Sequence, residues 1–150
     1  MKVEKLTLKE IVIMAATAAS FLIILGALCV PLLAYYKIGF SEGFYVLYRK
    51  LCHGPIATCF LINGYAMPLC SRCLGIWTGI FLTFVLYFQR IKIGHALYVI
   101  FGILGLGAFV LEYFNLIFIN NYIRLLEGLF IGIFLVVTIM RLEIKFKKGY

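Results

Sequence analysis

The chain has 150 residues, of which 65% are hydrophobic and only 13% are charged, and its formal net charge is +8. A typical soluble domain is about half apolar and about a quarter charged, and at this size it buries only roughly two-thirds of its surface. The composition therefore excludes a soluble globule, a disordered chain and a nucleic-acid-binding module. It predicts a single all-α domain that crosses the lipid bilayer of the cell membrane several times.

Four apolar runs are long enough to span a bilayer, which takes about 20 predominantly apolar residues. The predicted transmembrane helices cover residues 8–34, 70–89, 93–113 and 121–141. Thr7 and Glu10 form a capping box at the start of the first helix. The fourth helix reaches full length only if it includes Arg124 and Glu127 near its start.

A long segment, 37–69, separates the first two transmembrane helices. Apolar residues recur at helical spacing in its first half, at Phe40, Phe44, Leu47 and Leu51. This spacing predicts an interfacial or re-entrant amphipathic helix over 40–52, with Ser41 as its N-cap. The second half contains Pro55, Asn63-Gly64 and Pro68, and this composition predicts a loop.

The distribution of basic residues predicts the orientation in the membrane. Four helices place both termini on one side, together with nine basic residues: Lys2, Lys5, Lys9, Arg90, Lys92, Arg141, Lys145, Lys147 and Lys148. The other side has five: Lys37, Arg49, Lys50, Arg72 and Arg124. Because cytoplasmic loops are enriched in Lys and Arg, both termini are expected in the cytoplasm and segment 37–69 outside.

All five cysteines are expected at the same membrane face. They are Cys29, Cys52, Cys59, Cys70 and Cys73. Such clustering is unusual for cysteines that serve only as small apolar residues. It indicates a shared chemical role.

Cys70-Ser71-Arg72-Cys73 is a C-x-x-C motif at the predicted start of the second transmembrane helix. The spacing suits two ligands of one tetrahedral metal ion, and it equally suits a redox pair. The helix N-terminus and the Arg72 guanidinium both favour the thiolate form. Leu74 stands where a c-type haem site requires histidine, so haem attachment is excluded.

Cys52 and His53 complete a set of four metal ligands. Cys52, His53, Cys70 and Cys73 have the Cys₃His composition of structural zinc sites, and Cys59 is an alternative ligand. Adjacent residues on a helix point in different directions, so both Cys52 and His53 bind one ion only if the helix ends at Cys52. The sequence thus predicts a site for zinc or another transition metal.

Two alternatives use the same cysteines without a metal. In the first, Cys70 and Cys73 cycle as a membrane thiol-disulfide oxidoreductase, with Cys52 or Cys59 as the resolving thiol. In the second, Cys52, Cys59, Cys70 and Cys73 form two disulfides that stabilise a scaffold or partner subunit. The sequence does not choose among the three possible pairings, and it leaves open whether the protein is an enzyme.

Ionisable residues are predicted near the same membrane face. Glu112 ends the third transmembrane helix, and Arg124 and Glu127 start the fourth. Such groups are costly within a membrane and normally pair, so a structural ion pair is one interpretation. In the other, Glu112 or Glu127 is a general base for a metal-bound water, and Arg72 and Arg124 bind a phosphate or carboxylate.

Two small-xxx-small motifs, Gly75-x-x-x-Gly79 and Gly128-x-x-x-Gly132, predict close packing of helices. The packing is expected within the chain. The alternative is a contact between two copies in a homo-oligomer or with another membrane partner.

The stretch Cys52-His53, then Gly64, then Pro68-Leu69-Cys70-Ser71-Arg72-Cys73-Leu74-Gly75, followed by Gly79, resembles the DUF2085 family of small prokaryotic membrane proteins. Asn121, Arg124 and Gly128 match its later part, and the resemblance covers about residues 45–140. It implies that Cys52, His53, Cys70 and Cys73 form a site. Gly54 and Thr58-Cys59 depart from the family pattern, which leaves Cys59 without family support. The family has no assigned function.

Overall fold

The computed structural model describes residues 8–89, 94–114 and 120–148. Within these residues the chain forms five α-helices, a single 3₁₀ turn and one two-stranded hairpin. In chain order they are α1 (Leu8–Tyr35), α2 (Ser41–Arg49), the 3₁₀ turn (Ile56–Thr58), β1 (Cys59–Ile62), β2 (Tyr65–Cys70), α3 (Ser71–Phe88), α4 (His95–Tyr113) and α5 (Asn121–Lys148).

Four of the helices are long and apolar enough to cross a membrane. The candidate spans are Glu10–Tyr35, Ser71–Phe88, His95–Tyr113 and Asn121–Leu142. The predicted all-α, four-span fold with an additional short helix after the first span is therefore confirmed. Thr7 of the predicted capping box, and residue 93 at the predicted start of the third span, lie outside the described residues.

The sequence predicted Ser41 as the N-cap of α2, but the N-cap in the structure is Phe40. Phe40 has helical backbone angles and makes no capping hydrogen bond through its side chain. The reason is the preceding turn, in which the Ser41 N–H donates to the Ile38 carbonyl at 3.1 Å. The turn already satisfies this backbone N–H group and brings the chain into the helix without a polar cap.

The predicted loop of segment 37–69 contains a β-hairpin. Strands β1 and β2 pair antiparallel, with Ile62 opposite Tyr65 and Cys59 opposite Cys70. Asn63 and Gly64 form the two-residue connection, with φ of 50° and 83°. Asn-Gly is the preferred sequence for such a turn because both positions need positive φ. The dipeptide that indicated a loop was therefore a hairpin signal.

Helices α3 and α5 pack closely through the glycines of both small-xxx-small motifs. A Cβ atom at Gly75 would collide with the Leu125 carbonyl oxygen, and one at Gly128 with the Arg72 carbonyl oxygen. Each motif thus receives the backbone of the other helix, which confirms that the packing is within the chain. This contact holds the start of α3 against the start of α5.

We use "cysteine end" for the end of the bundle at which α1 and α4 finish and α3 and α5 begin. The hairpin and α2 cover this end. The main cluster of buried residues lies there, and it includes Cys52, Cys59 and Cys70 beside Leu69 and Tyr48. The candidate site is therefore part of the protein's core.

Candidate metal centre

The first ligand position is set by the docking of α2 on α1. Tyr48 is buried, and its hydroxyl donates to the Ile23 carbonyl at 2.8 Å. The Tyr48 carbonyl in turn accepts the Cys52 N–H at 3.0 Å. Cys52 therefore lies four residues after the buried Tyr48 and three residues after the end of α2, although the sequence predicted that the helix would extend to residue 52.

The second and third ligand positions lie where β2 passes directly into α3. Cys70 is the last residue of β2 and the N-cap of α3, and its sulfur accepts the Cys73 N–H at 3.4 Å. The Cys70 N–H donates to the Cys52 sulfur at 3.3 Å. A sulfur replaces the usual oxygen acceptor at this helix start, and it satisfies an amide that the helix leaves unpaired.

The structure brings together three of the four predicted metal ligands. The sulfur atoms of Cys52, Cys70 and Cys73 all lie within 4.8 Å of one another. A tetrahedral zinc ion with Zn–S bonds of about 2.3 Å holds its sulfurs about 3.8 Å apart. The cluster is therefore close to the size that one such ion requires. None of the five cysteines is in a disulfide.

Two cysteines that face each other in the hairpin differ in acidity. Hydrogen bonds from the Cys73 thiol and backbone N–H, and from Cys52, outweigh the effect of burial and lower the pKa of Cys70 to about 5. Burial, with the neighbouring thiolates of Cys70 and Cys52, raises the pKa of Cys59 to about 11. The hydrogen-bond donors, rather than the depth of burial, thus decide which thiol ionises.

The other two predicted ligands lie outside the three-sulfur group. The His53 side chain is exposed to solvent in the loop after α2. Cys59 is buried, and its thiol donates to the Pro55 carbonyl at 3.7 Å instead of joining the group. His53 follows Cys52 in the chain, and Cys59 lies opposite Cys70 in the hairpin.

Two residues that shape the centre, Gly54 and Asn121, had no predicted role in it. A Cβ atom at Gly54 would lie 2.7 Å from the Cys70 Cβ, so only glycine lets the loop pass this close. The Asn121 amide donates to the Cys59 carbonyl at 3.2 Å and to the Ala57 carbonyl at 3.4 Å. The start of α5 thereby holds the strand opposite Cys70. For Gly54, the only sequence signal was the Gly54-Pro55 dipeptide, which is typical of a loop.

The four predicted charged residues form one network between α3, α4 and α5. Arg72 pairs with Glu112, and its Nε lies 3.1 Å from the Oε1 of Glu127. Arg124 donates to Glu112 at 2.8 Å and lies 2.6 Å from it through its second nitrogen. The structural ion pair expected among these residues is present between α4 and α5, as Glu112 with Arg124, whereas Glu127 of α5 pairs with Arg72 of α3.

A cleft of about 580 Å³ reaches the centre from the side of α2 and the hairpin. Cys52 and Cys59 line it. The charged residues that line this cleft are Lys37, Glu42 and Arg49, and the lining does not include Arg72 or Arg124, which the sequence suggested as binding a phosphate or carboxylate.

Comparisons with known proteins support a relationship to one family. Residues 52–138, more than half of the chain, match the family described as "Predicted membrane protein (DUF2085)". A segment of 43 residues is 37% identical to the uncharacterized protein MJ1492 of Methanocaldococcus jannaschii. That segment is 29% of this chain and 28% of the relative, so the chain matches under a third of that protein's length. No solved structure matches the chain at a significant level.

Proposed function

The chain belongs to the DUF2085 family of predicted membrane proteins, and we propose that it is a membrane metalloprotein that binds one zinc ion at its cysteine end. The ligands are the thiolates of Cys52, Cys70 and Cys73, with the His53 imidazole in the fourth position. The observation that carries the proposal is the convergence of three sulfur atoms from the loop after α2, from β2 and from α3.

The charge of the cluster supports a metal cation. Zinc binds thiolates, and the pKa of Cys70 is already low enough for it to be ionised near neutral pH. Bringing the other two thiols to the same state would place three negative charges in an apolar core. A bound dication offsets that repulsion, because a coordinating thiol is deprotonated by the ion itself.

His53 is proposed as the fourth ligand from its chemistry and its position. It follows Cys52 directly, and because α2 ends at Arg49 both residues lie outside the helix, so helical geometry does not force their side chains apart. A Cys₃His set is a closed structural site. If water replaces the imidazole, the site has the open position that is typical of catalytic zinc.

The proposed role of the ion is structural. It links the loop after α2, the end of β2 and the first turn of α3, where the cysteine sulfurs accept backbone hydrogen bonds of 3.3 and 3.4 Å. Zinc bonds would hold the hairpin and α2 on the bundle far more firmly than these contacts do.

A thiol-disulfide oxidoreductase is the second candidate, and the acidity of Cys70 favours it. The Cys70 thiolate would attack a substrate disulfide, forming a mixed disulfide and releasing one substrate thiol. Cys73 of the same C-x-x-C motif, in place of the Cys52 or Cys59 thiol that the sequence suggested, would then displace the second substrate thiol, leaving a Cys70–Cys73 disulfide and a reduced substrate. The two candidates differ in the expected metal content.

The deciding experiment measures zinc per chain by plasma mass spectrometry, in detergent-purified protein prepared without metal-affinity chromatography. We expect a ratio near one that falls to roughly one-tenth or less in Cys52→Ser and Cys73→Ser, because losing one thiolate ligand removes most of the affinity. Cys29→Ser is the matched control, since Cys29 lies outside the three-sulfur group.

The His53→Ala variant tests the fourth ligand in the same assay. Weaker zinc retention would support the closed Cys₃His site, whereas unchanged retention would remove His53 from the proposed set. A wild-type ratio near zero would contradict the metal site. Disulfide turnover that is lost in Cys73→Ser would then favour the oxidoreductase.

We also propose that both termini lie in the cytoplasm and that the cysteine end faces outward. The support is the distribution of basic residues, with nine on the side of the termini and five on the other side. A green fluorescent protein fused to the C-terminus should fluoresce, because this reporter folds in the cytoplasm and fails to fold when exported unfolded. Absence of fluorescence in a well-expressed fusion would reverse the orientation.

A further inference from the structure

Two sets of basic side chains at the cysteine end differ in their partners. Arg72 and Arg124 bind carboxylates of neighbouring helices. Lys37 and Arg49 line the cleft instead, and within the described part of the chain no carboxylate forms an ion pair with either of them. The positive charge that remains available to an anion is therefore in the cleft.

The cleft has the size and lining of a small-ligand site. Its volume of about 580 Å³ lies within the range of about 300–1,000 Å³ that is common for such sites. Tyr45 and Tyr65 line it together with the charged residues, and Cys52 connects it to the three-sulfur group. Glu42 is the one acidic residue of the lining, so the charged side chains sum to +1.

Lys37 has a backbone conformation that normally selects glycine. Its φ is +54°, and it occupies the left-handed position after α1. The Lys37 N–H donates to the Ala34 carbonyl at 3.1 Å and the Ile38 N–H donates to the Leu33 carbonyl at 3.0 Å, which is the Schellman pattern. Glycine would adopt this conformation without strain, so a lysine here indicates a use for its ammonium group.

Exposed apolar side chains on α2 and on the residues beside it place the cleft near lipid. Phe40, Phe44, Leu47 and Leu51 form one apolar stripe, and each is between 42% and 79% exposed. An amphipathic helix with such a face lies in the membrane interface. The cleft, which lies between α2 and the hairpin, is then at the depth of lipid headgroups.

We propose that the cleft binds the phosphate group of a phosphodiester, with Lys37 and Arg49 contacting its oxygens. A phosphodiester carries one negative charge, which matches the net charge of the lining. Glu42 accepts a hydrogen bond from a hydroxyl or amine of the same ligand. The inference goes beyond the zinc proposal and does not depend on it, because no sulfur contacts the phosphate.

The test is a calorimetric titration of the full chain in a neutral detergent. Three probes separate the sources of the phosphate: dihexanoyl phosphatidylglycerol, its deacylated counterpart glycerophosphoglycerol, and dihexanoylglycerol, which lacks phosphate. Binding of the first alone identifies a lipid headgroup site, and binding of the first two identifies a site for soluble phosphodiesters as well. Equal binding of dihexanoylglycerol, or no binding of any probe, overturns the proposal.

Four variants assign the binding to the cleft. Lys37→Gln and Arg49→Gln should each raise the Kd by roughly tenfold, because each removes one charge-assisted contact. Lys37→Gly should lose binding equally while its thermal unfolding temperature does not fall, since glycine relieves the backbone. Lys50→Gln is the matched control, because Lys50 is a neighbouring exposed cation outside the lining.

Unchanged affinity in Lys37→Gln and Arg49→Gln overturns the proposal, and so does an equal loss in Lys50→Gln. The zinc content of each preparation is measured in parallel. A protein that binds zinc but no phosphodiester, or phosphodiester but no zinc, thereby separates the failure of one proposal from that of the other.

Discussion

The two ends of the bundle hold their cationic side chains in different ways. At the cysteine end, Arg72 and Arg124 bind the carboxylates of Glu112 and Glu127 across three helices. At the opposite end, Arg141 lies 2.7 Å from the Nδ1 of His95, and its guanidinium group stacks 4.4 Å from the centre of the Tyr98 ring. The first arrangement joins opposite charges across helices, and the second includes contacts of a cation with two rings.

Fixed side-chain geometry matters more at the cysteine end than at the opposite end. The Glu127 side chain is only 1% exposed, so its charge depends on the arginine that it faces. His95 is exposed, and water can replace its contact with Arg141. The cysteine end also carries the three-sulfur group. We therefore expect substitutions there to have larger effects than those at the opposite end.

The largest effect is expected from Glu127→Ala, which leaves Arg72 with one carboxylate and part of its charge buried. Removing one member of a buried pair costs about 3 kcal/mol or more, and we expect about 3 kcal/mol of unfolding free energy here. Reversible unfolding of the detergent-solubilised protein by dodecyl sulfate measures it. Glu42→Ala, at an exposed carboxylate without an ion pair among the described residues, should change stability by less than about 0.5 kcal/mol. An equal loss of stability in Glu127→Ala and Glu42→Ala would contradict the larger effect expected for the buried carboxylate.

The second effect concerns the two facing thiols of the metal-free protein. Because the pKa of Cys70 is about 5 and that of Cys59 is about 11, lowering the pH from 8 to 6 leaves Cys70 mostly ionised. Its alkylation rate should fall by less than about twofold, whereas that of Cys59 should fall about 100-fold, since the thiolate is the reacting species. Mass spectrometry of iodoacetamide-treated protein quantifies both. Parallel pH profiles would refute the assignment of the low pKa to Cys70.

The third effect tests backbone packing between α3 and α5. Gly128→Ala places a methyl group against the Arg72 carbonyl, which cannot move independently of its helix, and we expect a loss of about 2 kcal/mol. Gly107→Ala is the matched control, since nothing lies within 4 Å of its Cβ position. It should be neutral or stabilising by up to about 1 kcal/mol, because alanine favours helix. A neutral Gly128→Ala would mean that the two helices pack less closely than described.

The smallest effect is expected from His95→Ala at the opposite end. It removes the contact with Arg141 but keeps the stacking of that guanidinium group on Tyr98. We expect a loss of about 0.5 kcal/mol in the same unfolding assay, as for other exposed contacts. A loss as large as that of Glu127→Ala would show that substitutions at the two ends lower the unfolding free energy equally.

Sequence reasoning predicted the membrane fold because a bilayer imposes a length on every apolar helix. It also predicted the internal packing of the glycine motifs, since small residues let helix backbones approach. The association of Cys52 with Cys70 and Cys73 followed from ligand spacing alone. Each of these features depends on a local pattern that is repeated or bounded along the chain.

The features that sequence reasoning missed depend on contacts between distant residues. Glu112 was expected near Arg124, but its pairing with Arg72 requires the relative rotation of α3 and α4, which periodicity does not define. Gly54 is needed only because Cys70 lies beside it in space. The hairpin was a different failure, because Asn63-Gly64 carried the signal and its turn chemistry was interpreted as a loop.

The hydrogen bonds from Asn121 to the carbonyl groups of Ala57 and Cys59 have a consequence for biosynthesis. A membrane protein is made from its N-terminus, so every cysteine is synthesised before α5 exists. Until α5 inserts, the strand opposite Cys70 lacks its amide support, and Gly128 is not yet packed against Arg72. We therefore expect the thiols to reach their final arrangement only when the last helix is in the bilayer, so that a nascent chain released early would leave them open to oxidation.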